Sequence, residues 1–193
     1  MAVEMMDLVD KYCLVTGATN GIGEVTAMKL AESGMHLTIA CRNQEKGIAL
    51  KEKIEQTAAQ PVDIIVGDFA RLQDVRKIAT EYLESGKPLH LLVNNAGISC
   101  ISSALETSAE LYRKVIDVNL VAPFLLAKAF GRVMIANGSG SVVNVASVAG
   151  LQGVADRSAY NASKHGLIGL TRTLAVEWGA KGVRVNAVCP GWV

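Results

Sequence analysis

The residues best placed to do chemistry are Ser147 and, thirteen positions later, Tyr160 in the run Tyr160-Asn161-Ala162-Ser163-Lys164. On a helix, Tyr160 and Lys164 are i and i+4 and stack on one face. A phenol ordinarily loses its proton near pH 10, so acid–base work near neutrality needs a shift of about three units, or roughly 4 kcal/mol. An ammonium about 4 Å away, at an effective dielectric near 20, supplies about that much. The pair predicts a tyrosine that moves a proton, with the Ser147 hydroxyl beside it. Any Tyr-x-x-x-Lys also describes an ordinary amphipathic surface; the serine at a strand end upstream is what favours chemistry.

A second constellation lies near the start. An apolar run ending at Val15 leads into Thr16-Gly17-Ala18-Thr19-Asn20-Gly21-Ile22-Gly23. Glycines at 17, 21 and 23 allow a tight turn, a close approach of backbone to a pyrophosphate, and close packing of the following helix. That helix start presents unpaired N–H groups and a partial positive charge. Gly17, Thr19, Asn20, Gly21, Ile22 and Gly23 are therefore expected to bind a dinucleotide. The second apolar run ends in Cys41-Arg42-Asn43, with no acid before Glu45 to hold a ribose 2′-hydroxyl. Arg42 is suited to a 2′-phosphate, which favours NADP(H) over NAD(H). Asp68-Phe69 and Asn94-Asn95-Ala96-Gly97 close two further runs, and read as turn and capping residues or as cofactor contacts. Asn119 lies in an otherwise apolar stretch; a buried amide needs partners, so it either kinks its helix or holds a water.

These residues need a scaffold that brings strand ends together. Short runs rich in Val, Ile and Leu occur at 12–15, 37–41, 62–66, 89–93, 141–145 and 183–188, as expected of strands buried on both faces. Between them lie helical candidates at 22–33, 44–56, 73–83, 108–136 and 158–179, with Asn43 a helix start and Gly34 a helix stop. Strand and helix alternate as in an α/β Rossmann-type, doubly wound parallel sheet of order 3-2-1-4-5-6, with ligands beyond the carboxyl ends of the strands. The 193 residues suit one domain, 1–193.

Composition excludes other classes. Half the residues are hydrophobic and 19% charged, which rules out intrinsic disorder. A net charge of +1 leaves no basic excess for a nucleic acid partner. Cys13, Cys41, Cys100 and Cys189 lack metal or disulfide spacing, as do His36, His90 and His165, so no metal is expected. Glu4, Asp7 and Asp10 break any signal-peptide pattern, and no apolar run approaches 18 residues, so the expectation is a cytoplasmic protein without a membrane span.

Taken in order, T-G-x-x-x-G-I-G at 16–23, N-N-A-G at 94–97, Asn119, Ser147, Y-x-x-x-K at 160–164 and Pro190-Gly191 resemble the short-chain dehydrogenase/reductase family over essentially the whole chain. The resemblance implies an oxidoreductase passing a hydride between a nicotinamide and a carbonyl or alcohol substrate. It implies Tyr160 as general acid/base, Ser147 polarising the substrate oxygen, Lys164 binding the nicotinamide ribose and acidifying Tyr160, and Asn119 holding a relay water. It also places Asp68 and Phe69 at the adenine, Asn95, Ala96 and Gly97 on the adenosine side, and Pro190 and Gly191 among the cofactor contacts. Homodimers or homotetramers, joined by the helices at 108–136 and 158–179, are the family's assemblies. Family members continue beyond the Pro-Gly pair with a substrate lid and a last strand, which this sequence does not contain. A non-catalytic or impaired dinucleotide-binding module is therefore the competing expectation. Gln152 and Cys100 are candidate walls of the substrate cleft.

Overall fold

In a computed structural model, residues 8–191 are described; Glu4 and Asp7 of the N-terminal reading lie outside them, as do Trp192 and Val193. Six strands form one parallel sheet: Tyr12–Thr16 (β1), His36–Cys41 (β2), Asp63–Val66 (β3), Leu91–Asn94 (β4), Gly140–Val145 (β5) and Val183–Val188 (β6), in the order β3-β2-β1-β4-β5-β6. Parallel neighbours require crossovers. These are the helices Gly21–Glu32 (α1), Gln44–Glu55 (α2), Leu72–Glu84 (α3), Ala109–Ile116 (α4), Ala122–Ala136 (α5) and Ser158–Gly179 (α6). Val15 sits opposite both Ile39 of β2 and Val93 of β4, so the reversal of strand order falls between β1 and β4, where a crevice opens.

Local chemistry sets the boundaries. The Asn43 side chain accepts the Lys46 N–H at 2.9 Å and starts α2. Gly34, at φ +85°, ends α1 with Met35 N–H donating to Leu30 O and Gly34 N–H to Ala31 O, a left-handed stop that favours glycine. At β4 the apolar Leu89 is buried but precedes the strand: the His90 ring accepts the Tyr12 N–H at 2.9 Å, so a side chain supplies the bond at that edge.

Helices α3, α5 and α6 cover one face, with Leu14, Leu92, Phe130 and Val142 in that core. Helices α1 and α2 cover the other face only over β1–β3, packing on Val15, Leu37 and Ile39. β6 consequently departs from the expected two-sided burial: Val183 and Val185 are buried, whereas Arg184, Asn186 and Val188 are exposed. The helix expected at 108–136 runs as α4, a π turn at Asp117–Val121 and α5. Pro123 has no N–H for the carbonyl four residues back, that of Asn119, and the chain widens instead, with Ala122 N–H donating to Asp117 O. By length and composition this 28-residue path could cross a membrane, but half of its most apolar window is buried, and Leu126, Phe130 and Met134 belong to the core.

Candidate active site

The turn after β1 is clamped to the turn after β4. Thr16 Oγ1 accepts the N–H groups of Asn95 and Ala96, each at 3.0 Å. The Asn95 amide donates to the carbonyls of Thr16 and Gly17 at 3.1 and 2.9 Å. This approach requires glycine: a Cβ on Gly17, at φ +64°, would lie 2.7 Å from Ala96 Cα, and one on Gly23 would strike Gly17 O and the Asn95 amide. Asn95 therefore spends its side chain holding the glycine turn. Asn20 precedes α1 without a side-chain capping bond, so first-turn N–H groups of that helix face the cleft.

A cleft of about 850 Å³ runs along the carboxyl ends of the strands. Its walls include Gly17, Thr19, Asn20, Gly21, Ile22, Gly23, Arg42, Asp68, Phe69, Asn95, Ala96, Gly97, Pro190 and Gly191, together with Ser147, Tyr160 and Lys164. Asp68 also serves its own turn, accepting the Ala70 N–H at 3.0 Å, and Phe69 is mostly core. Arg42 is exposed beside Lys46, and neither has an ion-pair partner among the described residues. Sequence reasoning missed Lys46, Ser99, Lys114 and Val118 on these walls. Lys46 was legible in principle: three residues beyond the cap Asn43, it stands in the first turn of a helix that starts at the rim.

At the opposite end, α6 brings Tyr160 and Lys164 together. The lysine Nζ lies 5.6 Å from the Tyr160 ring centroid and donates to Val145 O, the last residue of β5, at 2.7 Å. Burial pushes the Lys164 ammonium down from 10.5 to about 8, partly opposed by the nearby Cys189 thiol. Ser147 follows β5, and its Oγ accepts the Ala149 N–H at 3.1 Å, capping a short 3₁₀ turn at Val148–Gly150. That bond uses a lone pair and leaves the serine O–H to donate. Ser147 is fixed from the other side by Ala146 N–H on Val188 O and Val148 N–H on Pro190 O, at 2.8 and 3.0 Å.

Asn119 is fully buried and lies behind the cleft wall. Its Oδ1 accepts the Ile98 N–H at 2.8 Å, and its Nδ2 donates to Ile98 O and Ser163 Oγ at 2.9 and 3.0 Å. Ser163 Oγ in turn donates to Tyr160 O at 2.7 Å. Asn119 lies within the π turn at Asp117–Val121, whose local cause is Pro123. The amide itself ties the turn after β4 to α6. A Cβ on Gly97 would lie 3.3 Å from Asn119 Oδ1 and 3.6 Å from Lys164 Nζ, so this glycine keeps the backbone close over both. Of the other candidates, Gln152 accepts the Asn161 amide at its carbonyl, at 3.2 Å, and Cys100 is half-buried.

The cleft has the size and the groups a dinucleotide needs: an uncapped helix start, two cations at one end, and a cation with two hydroxyls at the other. The chain belongs to the short chain dehydrogenase family, whose model matches residues 11–193. Over 186 residues it is 42% identical to an uncharacterized oxidoreductase of Thermotoga maritima, the match spanning 96% of this chain and 73% of that protein. Among solved structures, a metagenomic short-chain oxidoreductase in complex with NADP superimposes at a TM-score of 0.91 with 35% identity, over 96% of this chain and 84% of that one. A 4-hydroxyisoleucine dehydrogenase complexed with NADH superimposes at 0.86 with 33% identity, over 94% and 73%. The family is an oxidoreductase family, and its structures hold either dinucleotide.

Proposed function

We propose that the chain is an NADP(H)-dependent oxidoreductase interconverting a carbonyl and a secondary alcohol, with Tyr160 as general acid/base. The observation that carries this reading is one cleft with Tyr160, Lys164 and Ser147 at one end and Arg42, Lys46 and the open start of α1 at the other. The glycine turn and α1 would hold the pyrophosphate, Arg42 and Lys46 the 2′-phosphate, Asp68 and Phe69 the adenine, and Asn95, Ala96 and Gly97 the adenosine side. Pro190 and Gly191 would meet the nicotinamide end. When bound, the cofactor supplies or accepts the hydride.

Ser147 donates its O–H to the substrate oxygen and polarises the carbonyl. Tyr160 gives its phenolic proton to that oxygen in reduction and takes it back in oxidation. Carbon gains a hydride and oxygen a proton, so a ketone becomes a secondary alcohol with two electrons transferred. Lys164 sets a positive charge beside the developing phenolate and holds the ribose. Asn119 keeps the turn at Ile98 against α6 and offers its backbone carbonyl to a relay water. Exposed Tyr112 and Phe124 on α4 and α5 and Val176 on α6 favour a homo-oligomer built on those helices.

The test is NADPH oxidation against a panel of ketones, quinones and 3-oxoacyl compounds, with binding followed by cofactor fluorescence. Tyr160→Phe is expected to lose about 10²–10⁴-fold in turnover while still binding NADPH. A variant that keeps most of its rate overturns the acid/base assignment. Binding by the native chain without any turnover would leave a dinucleotide-binding module.

A further inference from the structure

Ser147 and Tyr160 lie on different elements, and the turn at 147–152 joins them. Two N–H groups close that turn on Ser147 itself: Ala149 N–H on Oγ at 3.1 Å and Gly150 N–H on the carbonyl at 2.8 Å. The N–H groups of Leu151 and Gln152 then both donate to Val148 O, at 2.9 and 3.1 Å. Residues 147–152 are thus one hydrogen-bonded unit, and whatever holds Gln152 also holds Ser147. On the β6 flank, Pro190 O receives the Val148 N–H at 3.0 Å.

The α6 flank has two ties of its own. A Cβ on Gly150 would lie 2.8 Å from Lys164 O, so glycine lets the turn press on the helix backbone. Asn161, next to Tyr160 in the first turn of α6, donates its Nδ2 to Gln152 O at 3.2 Å. The other half of that amide is unsatisfied: Asn161 Oδ1 is buried and meets no donor among the described residues. A buried acceptor without a donor opposes folding, and alanine at this position would remove it while favouring the helix. Stability therefore does not account for the amide. Its one contact across elements is the bond that ties the Ser147 turn to the helix carrying Tyr160.

We infer that Asn161 is a positioning residue that sets the Ser147 hydroxyl against the Tyr160 phenol, acting through Gln152 and the turn. Asn161 is not among the residues that line the cleft, so its effect on the reaction passes through Ser147. The inference rests on the carbonyl–alcohol reading above and adds a residue to it. Both hydroxyls must serve one substrate oxygen, and a misplacement of about 1 Å can cost about 10²-fold in rate.

Asn161→Ala and the isosteric Asn161→Asp, which sets an oxygen against Gln152 O, provide the test. Each is expected to lower kcat about tenfold or more for the ketone that the native protein reduces fastest, with NADPH affinity changed by less than about twofold. The melting temperature of Asn161→Ala should stay near native. In a Ser147→Ala background, adding Asn161→Ala should change kcat by less than about twofold, because the serine it positions is gone. Hydrogen exchange needs no turnover: the amides of Ala149 and Gly150 should exchange at least about tenfold faster in Asn161→Ala, while those of β4 keep their native rates. A kcat near native, losses that multiply with Ser147→Ala, or unchanged exchange at those two amides overturns the inference and leaves the reductase reading standing. Faster exchange there in Asn161→Ala, with no ketone reduced by the native protein, supports the tie to Ser147 and counts against the reductase reading.

Discussion

The Lys164 ammonium donates to the carbonyl of Val145 at 2.7 Å, a bond that pins the helix carrying Tyr160 to the end of the strand that leads to Ser147. Strand β5 and helix α6, which follow one another closely in sequence, are thereby registered at the point where the hydroxyls of Ser147 and Tyr160 would serve one substrate atom. The bond also holds a charge where burial disfavours it, and the first prediction follows from that conflict.

Without cofactor, Lys164→Met is expected to stabilise the fold while disabling the site. Burial lowers the folded lysine from 10.5 to about 8, and at about 1.4 kcal/mol per unit this amounts to roughly 3 kcal/mol. Part of it is offset by the lost bond to Val145 O, leaving a net gain of about 2 kcal/mol at pH 7. The folded chain releases this proton before the unfolded chain does, so native stability rises between about pH 8 and 10.5. The methionine variant lacks that rise. Urea unfolding of both proteins across this range decides it; a variant less stable than native at pH 7 would contradict the account.

Arg42→Ala and Lys46→Ala test the cofactor assignment at the other end of the cleft. Both side chains are exposed, so each contact is screened, and a loss of about tenfold in NADPH affinity per charge is expected. NADH, which lacks the 2′-phosphate, should change by less than about twofold. Fluorescence titration with both cofactors measures this, and its slope against salt should fall in each variant. Equal weakening of both cofactors would show that these residues shape the rim without reading the phosphate.

The order of strands and helices was legible because buried parallel strands read as apolar runs and because glycine and asparagine mark where helices start and stop. The site residues were legible because they follow the strand ends, as Ser147 follows β5 and Gly17 follows β1. What was hidden depends on contacts between distant segments. Nothing local shows that Asn95 turns inward to the carbonyls of Thr16 and Gly17, or that Pro190 O receives the Val148 N–H beside Ser147. The π turn at Asn119 had a local cause in Pro123, four residues on, which marks a break in the helix. The half-exposure of β6 was also written in its sequence: Val183-Arg184-Val185-Asn186 alternates as a strand covered on one face does.

Asn119→Ala removes three side-chain bonds at a fully buried position and leaves the Ile98 N–H and carbonyl without those partners. A loss of about 2–4 kcal/mol is expected. Asn119→Asp keeps the acceptor for Ile98 N–H but sets an oxygen against Ile98 O, so it should be at least as destabilising at pH 7. If the amide mattered only to catalysis, both variants would unfold at native denaturant concentrations.

At the opposite edge of the sheet from the cleft, His90 accepts the Tyr12 N–H through Nδ1, which requires that nitrogen to be unprotonated. Burial, and then the positive charge of Lys11, hold its pKa below the ordinary 6.5. The unfolded chain therefore takes up this proton before the folded chain does. Stability from this group is complete above about pH 6.5 and is lost as pH falls through the lower folded value. His90→Asn keeps an acceptor near the Nδ1 position and removes the titration. Between pH 7 and 5 the native melting temperature should fall further than that of the variant, by about 2–4 °C. Because both proteins carry the same carboxylates and the same His36, only the difference between their pH profiles reports on His90. Parallel profiles would mean that losing the ring acceptor costs nothing here and that the His90 N–H on Tyr12 O, at 2.9 Å, and the β1–β4 ladder hold this end of the sheet without it.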